Sequence, residues 1–282
     1  MILVFGKTGQ VARELQRFSS VIALSREDVD LSVPEDCASI IHEYSPKAVI
    51  NAAAYTDVEG AENEELRATY INGEAPTAMA MACAKMDIPL LHLSTDYVFD
   101  GTGDQPWSPD DPINPKNAYG RSKLAGEIGV RAIGGVHVIL RTSWVVSANG
   151  SNFIKTILRL SEARDELKVV CDQIGGPTPA RDIATACINI VAQLNEHPEK
   201  SGTYHYSGIP DVSWAEFASV ICAESGNDVK ITPVLTTEFP SAASRPLNSR
   251  LDTSDLTSVF GITRPDWRVG LKAILKELER KP

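Results

Sequence analysis

Ile2-Leu3-Val4-Phe5-Gly6-Lys7-Thr8-Gly9-Gln10-Val11-Ala12 is a short apolar run that breaks into a glycine turn and then into a helical pattern. Gly6, Gly9 and Ala12 have the spacing GxxGxxA, a variant of the Rossmann dinucleotide fingerprint. Gly6 permits the tight turn, Gly9 lets backbone amides approach a pyrophosphate at the helix N-terminus, and the small Ala12 lets helix and sheet pack closely. Gly6, Lys7, Thr8, Gly9, Gln10 and Val11 are therefore candidate cofactor-binding residues. No basic stretch with an apolar segment and cleavage site stands ahead of this strand, so no signal peptide is expected and the expected compartment is the cytoplasm.

Working outward, apolar strand patterns recur at 2–5, 21–24, 48–51, 90–94 and 136–142, with helical patterns at 10–18, 34–44, 73–86 and 118–133. This alternation implies an α/β fold: a Rossmann-type doubly wound parallel sheet whose ligands sit at the carboxyl ends of the strands. After Ser143 the rhythm changes to helices at 151–163, 182–194, 213–225 and 270–280. The expected organisation is a cofactor domain of residues 1–150 and 178–207, and a smaller, mostly helical C-terminal substrate domain of 151–177 and 208–282. Residues 100–115, rich in Pro, Asp and Gly, read as a long surface loop beside the site.

Where an NAD site would carry an acidic residue after the second strand, this chain has Ser25-Arg26. A hydroxyl beside a guanidinium suits a 2′-phosphate, so NADPH is the expected cofactor, with NADH as a second. Asp30 and Leu31 are candidates to lie against the adenine, though Asp30 reads equally well as a helix cap. Ala52, Ala53 and Ala54 close the third strand with the small residues needed where backbone passes a cofactor, or simply where it packs closely.

Tyr119-Gly120-Arg121-Ser122-Lys123 is YxxxK in a helical pattern, which puts phenol and ammonium one turn apart on one face. A cation there is expected to lower the phenol pKa from about 10 toward the operating range. Tyr119 would then protonate a carbonyl oxygen as hydride arrives, and Lys123 would also hold the nicotinamide ribose. The fourth strand ends in Ser94-Thr95. Alternation aims one hydroxyl into the cleft, where it can orient the substrate oxygen. His92 reads as a satisfied core histidine.

A net charge of −10 argues against nucleic acid, and no apolar run approaches the ~18 residues that span a bilayer. Five cysteines without any CxxC read as free thiols rather than a disulfide or zinc framework.

Taken together, these stretches resemble the dTDP-4-dehydrorhamnose reductase family of extended short-chain dehydrogenases. The resemblance runs nearly end to end: Phe5 to Gln10, Asn51 to Thr56, Ser94-Thr95-Asp96-Tyr97-Val98-Phe99, Tyr119-Gly120 with Lys123 to Glu127, Arg141 to Val145, Asn152-Phe153, Asp172-Gln173 with Gly175 and Pro177-Thr178, Ser213-Trp214 with Phe217-Ala218, Arg245-Pro246 and Ser249 to Asp252. It selects Thr95 over Ser94 and implies a catalytic set of Thr95, Tyr119 and Lys123 that reduces the 4-keto group of a dTDP-sugar. Thr95, Asp96, Tyr97 and Trp144 would lie near the sugar, with Asn152 and Arg245 meeting its hydroxyls and diphosphate. Trp144 could cover an apolar sugar face. Some members carry a metal-linked dimer built on acidic residues. This chain has Glu14 but Arg181 at the later position, so no metal is expected to be required, and a monomer or homodimer is expected. The tryptophan motif also departs from the family at Val146-Ser147, where an aromatic and a glycine are common.

Two other functions stay open at this stage. A relative of the family is the non-catalytic regulatory subunit of a methionine adenosyltransferase, a role that needs no aligned donors. An epimerase or dehydratase would want an acidic group beside Thr95, and Asp96 is expected one side-chain period out of line.

Overall fold

A computed structural model describes residues 1–239 and 241–280. Pro240, Lys281 and Pro282, which fall in the expected substrate domain, lie outside the described residues. In chain order the first half runs β1 (Ile2–Phe5), α1 (Gln10–Leu15), β2 (Val21–Leu24), α2 (Pro34–Tyr44), β3 (Ala48–Asn51), α3 (Val58–Ala61), α4 (Glu65–Thr69), α5 (Ala75–Lys85), β4 (Leu90–Thr95), α6 (Ala118–Ile133) and β5 (His137–Thr142). The second half runs β6 (Val145–Val146), α7 (Phe153–Ser161), β7 (Glu166–Val170), β8 (Ile174–Gly175), β9 (Thr178–Pro179), α8 (Ala180–Glu196), β10 (Gly202–Tyr206), β11 (Val212–Ser213), α9 (Trp214–Ser225), β12 (Lys230–Val234), β13 (Asn248–Ser249), α10 (Ser254–Phe260) and α11 (Trp267–Glu279).

Six strands form one parallel sheet in the order β10-β5-β4-β3-β1-β2. Alternate residues of each strand feed opposite faces, as the pleat requires. Leu3, Phe5, Val49, Leu90 and Ile139 meet α2, α5 and α6 through Ile41, Met79 and Val130. Val4, Ile50, Leu91, Val138 and Leu140 meet α1 and α8 through Leu15, Ile183 and Ile190. Both faces are dry, which is why the strands read as continuous apolar runs.

Sequence patterning misses three features of this layer. Helix α5 is the end of a longer helical stretch that begins at α4 and passes through a π-turn at Tyr70–Glu74. The sixth strand, β10, carries Tyr204, His205 and Tyr206 rather than an aliphatic run. Helix α10 breaks the expectation that 208–282 belongs wholly to the substrate domain. Its Leu256 and Phe260 are buried in the sheet's own core, with Phe260 edge-on to Tyr204 at 5.1 Å.

A third core joins Ile154, Leu167, Phe217, Ile221, Trp267 and Leu271 from α7, β7, α9 and α11. This part is not purely helical. Strands β7 and β12 pair in parallel, and β11, β8 and β13 form a small sheet. Among the described residues no helix is long and apolar enough to cross a membrane.

Candidate active site

The carboxyl ends of β1, β3, β4 and β5 share one edge of the sheet, where Phe5 pairs with Asn51, Asn51 with His92, and Thr95 with Thr142. After β1 the chain turns through Gly6 at φ 105°, a region that L side chains rarely adopt. A Cβ there would lie 3.2 Å from the backbone of Ala52 and Ala53, so the glycine turn and the alanine run pass in close contact. Gly9 precedes α1 in extended conformation and supplies no capping side chain, leaving the first-turn amides of α1 open to a phosphate.

Gln10 and Val11 face elsewhere, so their contribution to a cofactor is limited to backbone. Gln10 donates to the Val145 carbonyl at 3.2 Å and accepts from Ser147 and Asn152, while Val11 is a core residue. The backbone carbonyls of Lys7 and Thr8 accept from Gln16 and Arg13, and Lys7 Nζ lies 4.0 Å from Asp28. Ser25 is committed to the same carboxylate: its amide and hydroxyl both donate to Asp28 at 2.7 Å. Arg26 is exposed. Asp30 accepts from the amide and hydroxyl of Ser32, a turn ahead of α2 whose N-cap is Val33, and Leu31 packs on the sheet core. The cap alternative for Asp30 is thus realised as a turn, not as the helix cap itself.

Thr95 ends β4, and its hydroxyl oxygen accepts from the Tyr97 amide at 3.2 Å as the chain enters a 3-10 turn at Asp96–Val98. Ser94 points away and donates to Glu127 at 2.6 Å. Helix α6 starts against this turn: Asn117 caps it, accepting from Gly120 N at 2.8 Å, and a Cβ on Gly120 would meet the Tyr97 carbonyl oxygen at 2.2 Å. Only glycine allows that approach. It sets the Tyr119 ring edge-on to Tyr97 at 5.5 Å and brings the phenol near enough to Thr95 for that hydroxyl to counter part of the upward push of burial.

Two expectations fail here. Asp96 is not out of line with Thr95. The 3-10 turn folds it back, so that the Thr95 hydroxyl donates to Asp96 Oδ1 at 3.2 Å, and burial pushes its carboxyl up to about 6 against the hydroxyls of Ser249 and Thr95. Asp96 Oδ2 is buried without a hydrogen-bond partner. Nor does Lys123 lower the phenol pKa. Burial and then the Asp96 charge push Tyr119 above its ordinary value, while Lys123 Nζ is turned to the Leu93 carbonyl at 2.7 Å.

A cavity of about 1240 Å³ opens beside these residues, lined among others by Tyr97, Trp144, Arg164, Lys168, Arg245 and Ser249. Thr95, Asp96, Tyr119, Lys123 and Asn152 are not part of its lining, which approaches Tyr119 through Tyr97 and Asp96 through Ser249. Trp144 sits at φ 49°, a left-handed conformation that strains a non-glycine residue by roughly 1–3 kcal/mol. One face of its ring is stacked on Trp214 at 3.5 Å, so no more than the other face is left to cover a sugar. Arg245 is paired with Glu59 at 2.8 Å. Glu59, which sequence reasoning missed, also accepts from Ser241 and Ala243, and these bonds with the Arg245 charge hold its carboxyl below the usual range. No motif singled it out: it lies in an ordinary acidic helix turn and gains meaning only through a contact with a segment far along the chain.

Asn152 departs furthest from its expected role. It caps α7, accepting from Lys155 N, while its Nδ2 donates to Gln10 at 3.0 Å and to Ser147 O at 2.8 Å. Its side chain is spent on bracing α1 against α7. Asn152→Ala is therefore expected to cost about 1 kcal/mol of stability through the lost cap, measured by chemical denaturation, with the substrate KM unchanged.

The profile of the RmlD substrate binding domain matches residues 1–280. A dTDP-4-dehydrorhamnose reductase of Burkholderia thailandensis is 41% identical over 98% of this chain and 98% of its own. The chain belongs to the dTDP-4-dehydrorhamnose reductase family. Among solved structures of that family, one from Clostridium acetobutylicum superposes with a TM-score of 0.92 at 36% identity, covering 99% of each chain. Another, from Bacillus anthracis and in complex with NADP, gives 0.90 at 32% identity and 98% of each chain. The residues of this family member fit a nicotinamide dinucleotide: the close glycine and alanine turns and the uncapped start of α1 leave a cradle that suits a pyrophosphate.

Proposed function

We propose that this chain reduces the 4-keto group of dTDP-4-dehydro-6-deoxy-L-mannose (dTDP-4-dehydro-L-rhamnose) to give dTDP-L-rhamnose. The observation that carries this reading is the convergence of Thr95 and Tyr119 beside a cavity large enough for a nucleotide sugar, in a member of this reductase family. The cofactor is a nicotinamide dinucleotide, with NADPH preferred and NADH accepted. When bound, its reduced form supplies the hydride that goes to the sugar C4 carbon.

Thr95 donates its hydroxyl hydrogen to the substrate oxygen in place of Asp96 and so orients the carbonyl. Tyr119, which burial keeps protonated, gives its proton to that oxygen as negative charge develops, so the phenol acts as a general acid. Lys123 turns to the nicotinamide ribose. Arg164, Lys168 and Arg245 supply the positive lining that a diphosphate needs within an otherwise acidic protein. Trp144 offers the sugar the part of its ring that lines the cavity.

Arg26, exposed after β2, meets the 2′-phosphate, while the Ser25 donors stay with Asp28. Arg26→Ala is expected to raise KM for NADPH about tenfold and to leave KM for NADH within twofold, a comparison steady-state kinetics makes directly. No metal is required in this reading, since Arg17 at 2.8 Å and Arg181 at 3.5 Å already satisfy the Glu14 carboxylate; the protein works as a monomer or homodimer. The free, mostly buried cysteines suit the reducing cytoplasm.

Asp96 gives a second reading its one specific observation. A buried carboxyl beside Thr95 is what an epimerase or dehydratase would use, so the ground for excluding that chemistry lies in the family match rather than in the strand period. Mixing the protein with the ketosugar nucleotide and NADPH tests the proposal: cofactor absorbance falls in step with loss of the ketone. Cofactor left unconsumed would count against it.

A further inference from the structure

Lys123 is held in an unexpected place. Its Nζ lies 3.3 Å from Nε2 of His92 as well as 2.7 Å from the Leu93 carbonyl, and both side chains are buried. On its other side His92 Nδ1 lies 3.1 Å from Asn51 Nδ2. The Asn51 carboxamide is fixed in that orientation because its Oδ1 accepts from the Ala53 amide at 3.1 Å. Asn51 Nδ2 therefore donates, His92 Nδ1 accepts, and the one proton of a neutral imidazole sits on Nε2. Burial, the larger cause, by itself pushes the ring below its ordinary pKa, so it is neutral whether or not Lys123 carries a charge. An Nε2–H aimed at Nζ needs a lone pair to receive it, and an ammonium has none.

We propose that His92 is a positioning residue that stores Lys123 as a neutral amine in the cofactor-free protein, and that dinucleotide binding draws one proton onto Nζ as the lysine turns to the ribose. The balance is simple: the Nζ lone pair forms an N–H bond with a proton given up by a buffer acid, whose own bond to that proton breaks with the electron pair staying on the buffer base, and no electrons are exchanged. The other groups around Lys123 are compatible with this. Glu127, one turn on, favours the ammonium, but its oxygens are taken by Ser94, Arg131 and Arg141. Tyr119, one turn back, keeps its proton, and Asp96 lies beyond Thr95. On the π-turn side stand the neutral Asn72 and Ser122. Burial dominates and brings Lys123 down to about 8, so the neutral amine prevails in the cofactor-free protein above that pH. Gly126 makes the contact possible, since a Cβ there would stand 3.4 Å from His92 Nε2 and 2.2 Å from the Asn72 carbonyl oxygen.

The inference rests on the proposed role of Lys123 at the ribose, and two measurements keep the two apart. The first is ¹⁵N NMR of histidine-labelled protein without cofactor. His205, the other fully buried ring, has Nδ1 3.0 Å from the Trp107 carbonyl and must carry its proton there. One non-titrating Nε2–H ring and one non-titrating Nδ1–H ring are expected; two Nδ1–H rings would overturn the proposal. The second is calorimetry of NADPH binding at about pH 8.5, above the 2′-phosphate ionisation near ~6, in buffers of different ionisation enthalpy. Uptake of more than about half a proton per site is expected. In His92→Gln, whose carboxamide oxygen can accept from an ammonium, uptake should fall close to zero. Binding without uptake, or uptake unchanged in His92→Gln, would overturn the inference. A failure of NADPH to bind would instead count against the proposed function, and the tautomer measurement would still decide the state of His92.

Discussion

Tyr119→Phe is expected to lower kcat/KM by about 10³-fold while leaving the Kd for NADPH within about twofold. The substitution removes one oxygen, the group that the proposed mechanism assigns to protonating the substrate alkoxide beside Thr95. General acid catalysis contributes on the order of 10²–10⁴-fold, and the burial that holds the phenol protonated keeps it poised to donate as charge develops. The ring itself stays packed edge-on to Tyr97, so stability and cofactor affinity have little reason to change. A variant within tenfold of the parent would remove Tyr119 from the chemistry.

Arg141→Met is expected to destabilise the fold by about 3–5 kcal/mol, a large share of a typical domain's total of roughly 5–15 kcal/mol. Arg141 and Glu127 are almost wholly buried, and the guanidinium makes paired bonds of 2.9 and 2.7 Å to that carboxylate. It also donates to the Pro109 carbonyl at 3.1 Å, pinning the long loop that follows β4, and lies over the Phe99 ring at 5.1 Å. Removing it strands a carboxylate inside the protein. Arg131→Met, at the half-exposed partner of the same carboxylate, is the contrasting control, with a loss below about 1 kcal/mol. The pH dependence has a definite sign. Burial alone would raise the Glu127 pKa, but Arg141, then Ser94 and Arg131, hold it below the usual range. Its contribution is therefore full above the unfolded value of about 4.3 and is lost as pH falls through the lower folded value. In Arg141→Met the carboxyl is left more to its burial and takes up its proton at higher pH than in the wild type, so the gap should narrow as pH falls and be smallest in acid, as denaturation curves from about pH 7 down to pH 3 would show.

The sheet was legible because burial on both faces writes unbroken apolar runs, and α6 because its cap, its small residues and its glycine stop coincide with its boundaries. Strand β10 was not, since its aromatic and histidine side chains serve the core without an aliphatic pattern. In the site, the strand end offered a hydroxyl and helical spacing paired Tyr119 with Lys123, but only the resemblance chose Thr95 over Ser94. The place of Asp96 was not legible, because period-two reasoning stops where the strand becomes a 3-10 turn. Asn152 and Gln10 show a different limit. Polar residues in a motif can serve the scaffold, and only three-dimensional contacts separate bracing from binding. Lys123 shows a third, since the fully buried His92 that receives it reads in sequence as a core residue and nothing more.

The most direct test of the account is isotopic. Protein, dTDP-4-dehydro-6-deoxy-L-mannose and NADPH deuterated at the transferring position of the nicotinamide are incubated together, and the sugar product is examined by NMR and mass spectrometry. Deuterium at the sugar C4 of dTDP-L-rhamnose, one atom per NADPH consumed, is the predicted result. An unlabelled or epimerised sugar with the cofactor unconsumed would contradict it and move the chemistry to Asp96.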